Sequence, residues 1–423
     1  MERAVLVGAP RMHEPQALVD EHLEELERLT DTAGARVAAT LVQRLEAPHP
    51  ALYIGRGKAE QLRALAERSE ASLVIFDEDL APAQGSALEK LLGLRVMDRT
   101  ELILDIFALR ARTAEARMQV ELAQLQYMRP RLKRMWTHLS RIQGGIGMRG
   151  PGESQLETDR RLMDRRITRL RQELEHIARS RGTRRSRRKR EFKATLVGYT
   201  NAGKSSILRA LSGADLFVED RLFATLDSAT RAVELDGGYR ALITDTVGFI
   251  RKLPHHLVAS FRATLEEAGE ADLVLHVVDV SAPSWRHQVE AVDQVLADLG
   301  IRGTNTVMVF NKTDRMTHTE EESLRSTVGL DWPAHVFTSV VETGGLEPLR
   351  WHILQRMREL RPTVQVSIPV TDGQTLAEAY REAEVLHRSE VNLEVRLTAR
   401  VPVPLLGRWR VRPGVRVHPV ESE

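Results

Sequence analysis

The sequence of 423 residues contains no cysteine. That absence excludes a disulfide scaffold, a thiolate zinc site, an iron–sulfur cluster and a cysteine nucleophile, and it suits a reducing cytoplasm. Long apolar runs are also missing, since none approaches the ~18 residues a membrane helix needs. The opening Met1-Glu2-Arg3-Ala4 leads into a short apolar stretch broken by Pro10, unlike a signal peptide. The expectation is a cytoplasmic chain with no membrane span. Hydrophobic residues at 42% and charged residues at 28% exclude wholesale disorder. At about 150 residues per domain, the length suggests roughly three domains.

No sign of charge dominates overall, at a net of +2, but the distribution is uneven. Arg129 to Arg190 carries 20 Lys+Arg against 6 Asp+Glu, a net of +14, which leaves the remainder at −12. A basic block inside an acidic chain points to a polyanionic partner, and at this size to nucleic acid. The alternative is a solvated helical face with charges paired along i,i+4.

The first hundred residues alternate strand-like and helix-like runs. Ala4–Gly8, Ala38–Val42 and Leu73–Phe76 read as strands, and Pro15–Arg28 and Ala83–Leu92 as helices. This pattern predicts a small parallel α/β domain. Its loop Ile54-Gly55-Arg56-Gly57-Lys58 falls short of a phosphate-binding fingerprint and reads as a strand-to-helix turn. Thr100–Leu125 is rich in helix formers, without Gly or Pro, and a basic continuation runs to Arg141. Gly144 to Gly152 holds five glycines in nine residues and reads as non-helical. Leu156, Met163, Ile167, Leu170, Leu174 and Ile177 then repeat with heptad spacing. Two long helices joined by a glycine-rich tip predict an antiparallel hairpin, the tip being either a cationic probe for a crevice in a polyanion or an ordinary disordered loop. Arg141, Arg149, Arg160 and Arg161 lie at or beside the tip and are its candidate RNA contacts. Arg184 to Arg190, with six cationic residues in seven, predicts an exposed linker or a phosphate-binding arm at a domain boundary. After Pro362, a last segment reads as strand Val364–Val370, helix Leu376–Leu386 and strand Val391–Leu397, with a basic tail at Arg408, Arg410, Arg412 and Arg416.

Between these parts lies a phosphate loop. Gly198-Tyr199-Thr200-Asn201-Ala202-Gly203-Lys204-Ser205, followed by Ser206, fits G-x-x-x-x-G-K-[ST] after a strand-like run and before a helix-like one. Its amides can converge on phosphate oxygens at a helix N-terminus. Lys204 can neutralise the β- and γ-phosphates, and the Ser205 hydroxyl can ligate Mg²⁺. At the end of the next apolar strand stands Asp245-Thr246-Val247-Gly248. Asp245 can hold the metal through water, and the Gly248 amide can meet the γ-phosphate. A further strand ends in Asn311-Lys312-Thr313-Asp314. The Asp314 carboxylate can accept both donors on guanine's edge, whereas adenine presents the wrong pattern.

With these motifs the chain resembles the translation-factor-related GTPases, and most closely the HflX family of ribosome-associated GTPases. Beyond the general motifs, three stretches carry the likeness: Arg141 to Arg161 with its glycines, Phe223-Ala224-Thr225-Leu226-Asp227, and Tyr53 to Lys58. The resemblance implies that Thr225 is the mobile threonine closing on Mg²⁺ and γ-phosphate. It implies that Lys312 lies over the base and that the Ser339 and Val340 backbone meets the guanine edge. Ser339-Val340-Val341 departs from the usual Ser-Ala-Lys. Phe249 stands where many GTPases carry a water-orienting glutamine, and a phenyl ring cannot hydrogen-bond water. Intrinsic hydrolysis is therefore expected to be slow, with the missing group supplied by a partner or by another element such as a main-chain group. Asn201 is a candidate K⁺ contact, the alternative being that Asn simply suits a tight loop.

The implied fold is α/β: an N-terminal parallel α/β domain (1–110), a basic helical hairpin with its Arg-rich linker (111–190), a P-loop GTPase domain (191–362) and a small C-terminal α/β domain (363–423). The implied function is a GTP/GDP switch that binds the large ribosomal subunit and its ribosomal RNA, as a monomer when bound, and dissociates stalled or idle ribosomes. Two rivals share parts of this pattern: an ATP-using RNA remodeller and a non-hydrolysing assembly scaffold.

Overall fold

The structure, a computed structural model, describes residues 2–132, 151–187, 191–213, 222–253, 269–301 and 305–420, with the backbone alone for 151–156 and 180–187. Three sheets organise it. The first contains β1 (Arg3–Gly8), β2 (Arg36–Val42), β3 (Leu73–Phe76) and β4 (Arg95–Asp98), all parallel in the order β2-β1-β3-β4. Helices α1 (Gln16–Thr32), α2 (Arg56–Arg68) and α3 (Pro82–Leu92) make its crossovers. β1 and β3 are buried almost throughout, which explains their unbroken apolar runs. The parallel α/β expectation holds here, whereas of Ile54 to Lys58 only Ile54 and Gly55 precede α2, which already contains Arg56, Gly57 and Lys58.

The predicted helix Thr100–Leu125 is two helices, α4 (Arg99–Arg110) and α5 (Ala114–Met128). Local propensity gives no hint of the break, which is set from elsewhere. Asp227 accepts hydrogen bonds from the Arg112 and Thr113 amides at 3.1 and 3.2 Å and from the Thr113 hydroxyl at 2.5 Å. Thr113 in turn caps α5 by accepting from the Ala116 amide. α6 (Pro151–Arg187) then runs antiparallel to α5. The heptad reading is supported, because Ile167 and Leu170 are buried against Leu122, with Met163 and Leu174 beside them.

Two expectations are corrected in α6. Pro151 and Gly152 belong to its first turn, where a proline loses no needed hydrogen bond. The Arg-rich stretch stays helical through Arg187, because arginine is a good helix former and like-charge repulsion costs only tenths of a kcal/mol per pair. Arg141 and Arg149, with most of the glycine-rich tip, lie outside the described residues.

The second sheet has the order β10-β9-β8-β5-β7-β6. It comprises β5 (Phe192–Gly198), β6 (Ala229–Leu235), β7 (Tyr239–Asp245), β8 (Leu273–Asp279), β9 (Thr306–Asn311) and β10 (His335–Thr338); only β6 is antiparallel. α7 (Lys204–Ser212), α8 (Trp285–Asp298), α9 (His318–Asp331) and α10 (Glu347–Glu359) accompany it. β5, β7 and β9 end at Gly198, Asp245 and Asn311, so the three motifs emerge at the carboxyl edge of one sheet, with β8 between β9 and β5, where α/β folds bind ligands.

The last unit is wholly antiparallel, in the order β12-β13-β11-β14. It is built from β11 (Thr363–Pro369), α11 (Gly373–Glu382), β12 (Glu384–Val391), β13 (Glu394–Arg400), α12 (Val403–Arg410) and β14 (Arg416–Pro419). The helix predicted to Leu386 stops at Glu382 because the chain turns back as β12. The strand predicted at Val391–Leu397 is displaced by a hairpin turn at Asn392 and Leu393, both at positive φ. No helix among the described residues is long and apolar enough to cross a membrane.

One apolar core spans the first and second sheets. It joins Phe107, Ile103 and Leu29 of the N-terminal part to Phe223, Leu226, Val247, Phe249 and Ile250. Beside it Glu78 accepts from the Ala9 amide and lies 3.8 Å from Lys252. Burial pushes its carboxyl up to about 7, against the pull of Lys252. A raised carboxyl pKa in the fold means that the folded chain binds more protons between about pH 4.5 and 7, so the contribution of Glu78 falls as pH rises through that window. Glu78→Gln removes the penalty while keeping an acceptor for Ala9. The gain in melting temperature over wild type should grow from pH 4.5 to 7 and then level off; a gain independent of pH would contradict the burial argument.

Candidate functional site

The phosphate loop fits its glycines closely. Gly198 and Gly203 have φ of +146° and +102°, values that strain any side chain. A Cβ at Gly198 would stand 2.2 Å from the Val277 carbonyl oxygen, and one at Gly203 would stand 2.2 Å from the Asn311 amide nitrogen. Asn311 itself donates to the Ala202 carbonyl at 2.9 Å, tying the third motif to the loop. At Gly248 a Cβ would lie 2.7 Å from Thr200 Cα and 3.2 Å from Lys204 Nζ, so only glycine brings this turn against the phosphate loop.

Lys204 is 5% exposed. Its Nζ donates to the carbonyls of Gly198 and Tyr199 at 3.0 and 2.8 Å. Burial pulls its ammonium down to about 8, partly offset by Asp245. A buried cation held by neutral carbonyls is poised for an anion. The Ser205 hydroxyl lies 2.7 Å from the Thr225 hydroxyl and donates to Asp245 Oδ2 at 2.6 Å. Among the described residues Asp245 Oδ1 has no hydrogen-bond partner, although it is buried, and burial raises the carboxyl pKa despite Lys204 nearby. Two hydroxyls and a carboxylate with an orphaned oxygen form the hard oxygen donor set that Mg²⁺ takes. Thr225, twenty residues from Ser205 in sequence, stands beside it in space.

At the other end Lys312 has φ +67° and its Nζ donates to Asp279 Oδ2 at 2.6 Å and to the Asn201 carbonyl at 2.9 Å. Asp314 Oδ1 accepts from the Ser339 hydroxyl at 2.7 Å, and Ser339 Oγ accepts from the Val341 and Glu342 amides. Thus Ser339 acts through its side chain, aiming the carboxylate. Asp279 and Ser339 Oγ had no signal in the sequence, since both functions depend on strand-end neighbours.

A cleft of about 330 Å³ connects the two ends. Thr200, Asn201, Gly203, Lys204, Ser205, Ser206, Thr225, Thr246, Gly248, Asn311, Lys312, Asp314 and Val340 line it, together with Phe223, Ala224, Arg315 and Val341. Gly198, Tyr199, Ala202, Asp245, Val247 and Ser339 do not line it; they support those that do. Val247 is core, and the Thr246 hydroxyl donates to the Leu196 carbonyl. Tyr199 presents only its backbone to Lys204, because its ring turns into the N-terminal part. The Phe249 ring is fully buried in the shared core, so it does not reach the cleft. Arg160 and Arg161 are exposed on α6, and Arg161 pairs with Glu157 at 3.1 Å.

Family models match residues 20–108 (GTP-binding GTPase N-terminal), 110–188 (GTP-binding GTPase middle region) and 193–312 (50S ribosome-binding GTPase). A GTPase HflX of Magnetococcus marinus is 43% identical over 98% of this chain and 97% of its own. The GTPase HflX of Escherichia coli is 40% identical over 97% and 95%. A solved GTP-binding protein of Sulfolobus solfataricus with GDP aligns over 85% of this chain and all of its own, at 25% identity and TM-score 0.46. With a near-complete match at this identity, the chain belongs to the HflX family of GTPases and is a GTP-hydrolysing enzyme.

Proposed function

We propose that the cleft holds GTP with Mg²⁺ and that the enzyme is a molecular switch on the large ribosomal subunit, separating stalled or idle ribosomes in the cytoplasm. One observation carries the nucleotide assignment: Lys204, the Ser205 and Thr225 hydroxyls, backed by Asp245, and the Ser339-braced Asp314 line one continuous cleft. In this reading Lys204 and the loop amides neutralise the phosphates. Ser205, Thr225 and Asp245 hold Mg²⁺, which supplies charge screening on the transferred phosphoryl group. Gly248 offers its amide to the γ-phosphate, Asn311 and Asp314 select guanine, Lys312 covers the base and the Ser339-Val340 backbone borders it. Since the Phe249 ring is buried, hydrolysis alone is slow and the ribosome completes the site. K⁺ beside Asn201 adds positive charge; hydrolysis should run faster in KCl than in NaCl, and equal rates would remove K⁺ from the account.

The chain divides at 1–110, 111–190, 191–362 and 363–423, with the second unit as the RNA-contacting arm. Arg160 and Arg161 stand exposed on it, next in sequence to the glycine-rich tip with Arg141 and Arg149. The protein acts as a monomer on the ribosome. Ordering of Thr225 and Gly248 by the triphosphate favours the bound state, and hydrolysis releases it. Sedimentation with large subunits tests this. The form with a non-hydrolysable GTP analogue should pellet with them, and binding should fall steeply with salt as phosphate contacts are lost. Equal pelleting with GDP would defeat the switch. Absence of ribosome-stimulated turnover would favour a scaffold.

A further inference from the structure

The N-terminal part grips both segments that flank the nucleotide cleft, using groups the hydrolytic chemistry does not touch. Glu25 lies on α1, Asp77 follows β3 and Arg99 opens α4. Arg99 is 1% exposed, and its guanidinium sits between the two carboxylates, bonded to Glu25 and donating to Asp77 Oδ1 at 2.7 Å. Each carboxylate then reaches across. Glu25 accepts from the Tyr199 hydroxyl. Asp77 Oδ2 accepts from Arg251 Nη2 at 2.8 Å and from Lys252 Nζ at 3.2 Å. The circuit closes because the Arg251 amide donates to the Tyr199 hydroxyl oxygen at 2.8 Å. Although burial opposes it, the guanidiniums of Arg99 and Arg251 with Lys252 hold the Asp77 carboxyl well below the usual range.

Tyr199 belongs to the phosphate loop, and its carbonyl accepts from Lys204 at 2.8 Å. Arg251 lies three residues beyond Gly248. The phenol is therefore a strut between the loop that holds phosphate and the turn that meets it. A parallel tie holds the Thr225 segment: Asp227 binds the break between α4 and α5, and the Phe223 ring packs edge-on to Phe107 at 4.6 Å. Removing one partner of a buried ion pair strands the charge of the other, so these contacts depend on one another, although Arg99 Nε and Arg251 Nε have no hydrogen-bond partner among the described residues.

We propose that Tyr199, braced by Glu25, Arg99 and Asp77, is the positioning residue through which the N-terminal part sets Gly248–Arg251 for GTP hydrolysis. This rests on the reading of the cleft as the GTP site. Coupling of this kind is reciprocal, so a nucleotide that shifts Gly248 also changes how firmly the N-terminal part is docked.

Full-length Tyr199→Phe, Glu25→Gln and the double variant test it, each assayed well below its melting temperature. Phe removes one oxygen and keeps the ring in the core, so it serves even if Glu25→Gln fails to fold. Losing the hydroxyl removes two buried hydrogen bonds, and the expected fall in kcat is about tenfold or more, with GDP affinity within about threefold of wild type. Amide exchange at 250–252 should quicken, and the double variant should be no slower than the slower single one, because both break the same circuit. A purely structural role would lower the melting temperature alone. Unchanged kcat and exchange, a parallel loss of GDP affinity, or fully additive effects would each overturn the proposal. If Lys204→Ala retained wild-type GDP affinity, the GTP-site reading itself would fail; if it bound GDP more weakly while Tyr199→Phe behaved as wild type, only this proposal would.

Discussion

Lys204→Ala is expected to abolish measurable GTP turnover and to lower GDP affinity by about tenfold to a hundredfold. Charge-assisted hydrogen bonds contribute about 1.5–3 kcal/mol each, and GDP, which lacks the γ-phosphate, presents only the β-phosphate of the two that the ammonium serves. In hydrolysis the same group faces the charge that develops between β- and γ-phosphate, where losing a single donor costs about 10²–10³ in rate. The fold predicts an opposite sign for stability. Lys204 is buried among carbonyls, and burial already pulls its ammonium down to about 8. Removing it relieves a desolvated charge, so the protein without nucleotide should melt no lower than wild type. Bound GDP normally raises the melting temperature through linkage, and that rise should shrink in the variant. Scanning calorimetry with and without GDP reads both effects. A GDP-induced shift as large as that of wild type would contradict the assignment.

Asp314→Asn is expected to exchange guanine for xanthine. The Asp314 carboxylate accepts the Ser339 hydroxyl at 2.7 Å, and Ser339 is held by two backbone amides, so the acid is aimed before any base arrives. A carboxylate offers acceptors only, matching guanine's ring N–H and exocyclic amine. The amide replaces one acceptor with a donor and faces guanine's amine with the wrong sign, whereas xanthine presents a carbonyl there. Two charge-assisted bonds lost amount to about 3 kcal/mol or more, over a hundredfold in GDP affinity. Competition against a fluorescent GDP analogue by GDP, XDP and ADP measures all three. Unaltered GDP affinity would mean that Asp314 does not touch the base, and strong ADP competition in wild type would favour an ATP-using remodeller.

The site's chemistry was legible because its motifs are local. A phosphate loop needs glycines at Gly198 and Gly203, a lysine and a hydroxyl within eight residues, and a strand and helix that propensity announces. The strand ends at Asp245 and Asn311 were legible for the same reason. Side-chain direction was not. Tyr199 and Phe249 stand inside or beside the motifs, yet both rings leave the cleft for a core shared with the N-terminal part. Nothing in neighbouring residues shows this, because the partners are Glu25 and Leu29, more than 150 positions away. The break between α4 and α5 escaped notice likewise, being imposed by Asp227 from over a hundred residues downstream. In the last unit, residues 384–386 carry helix-compatible types but belong to β12, which pairs with β13, and cross-strand partners outweigh weak propensity.

Sequence by itself therefore determined the nucleotide chemistry, the parallel pairing of the first sheet and the heptad seam of α6, all of which follow from spacing along a few turns or strands. Tertiary structure alone decided which face each motif residue turns to the ligand, how Ser339 aims Asp314 and how Glu25, Arg99 and Asp77 clasp Tyr199 and Arg251. The division is physical: hydrogen bonding along the backbone is written in short-range pattern, whereas the partner of a buried charge is settled only when distant segments exclude water together.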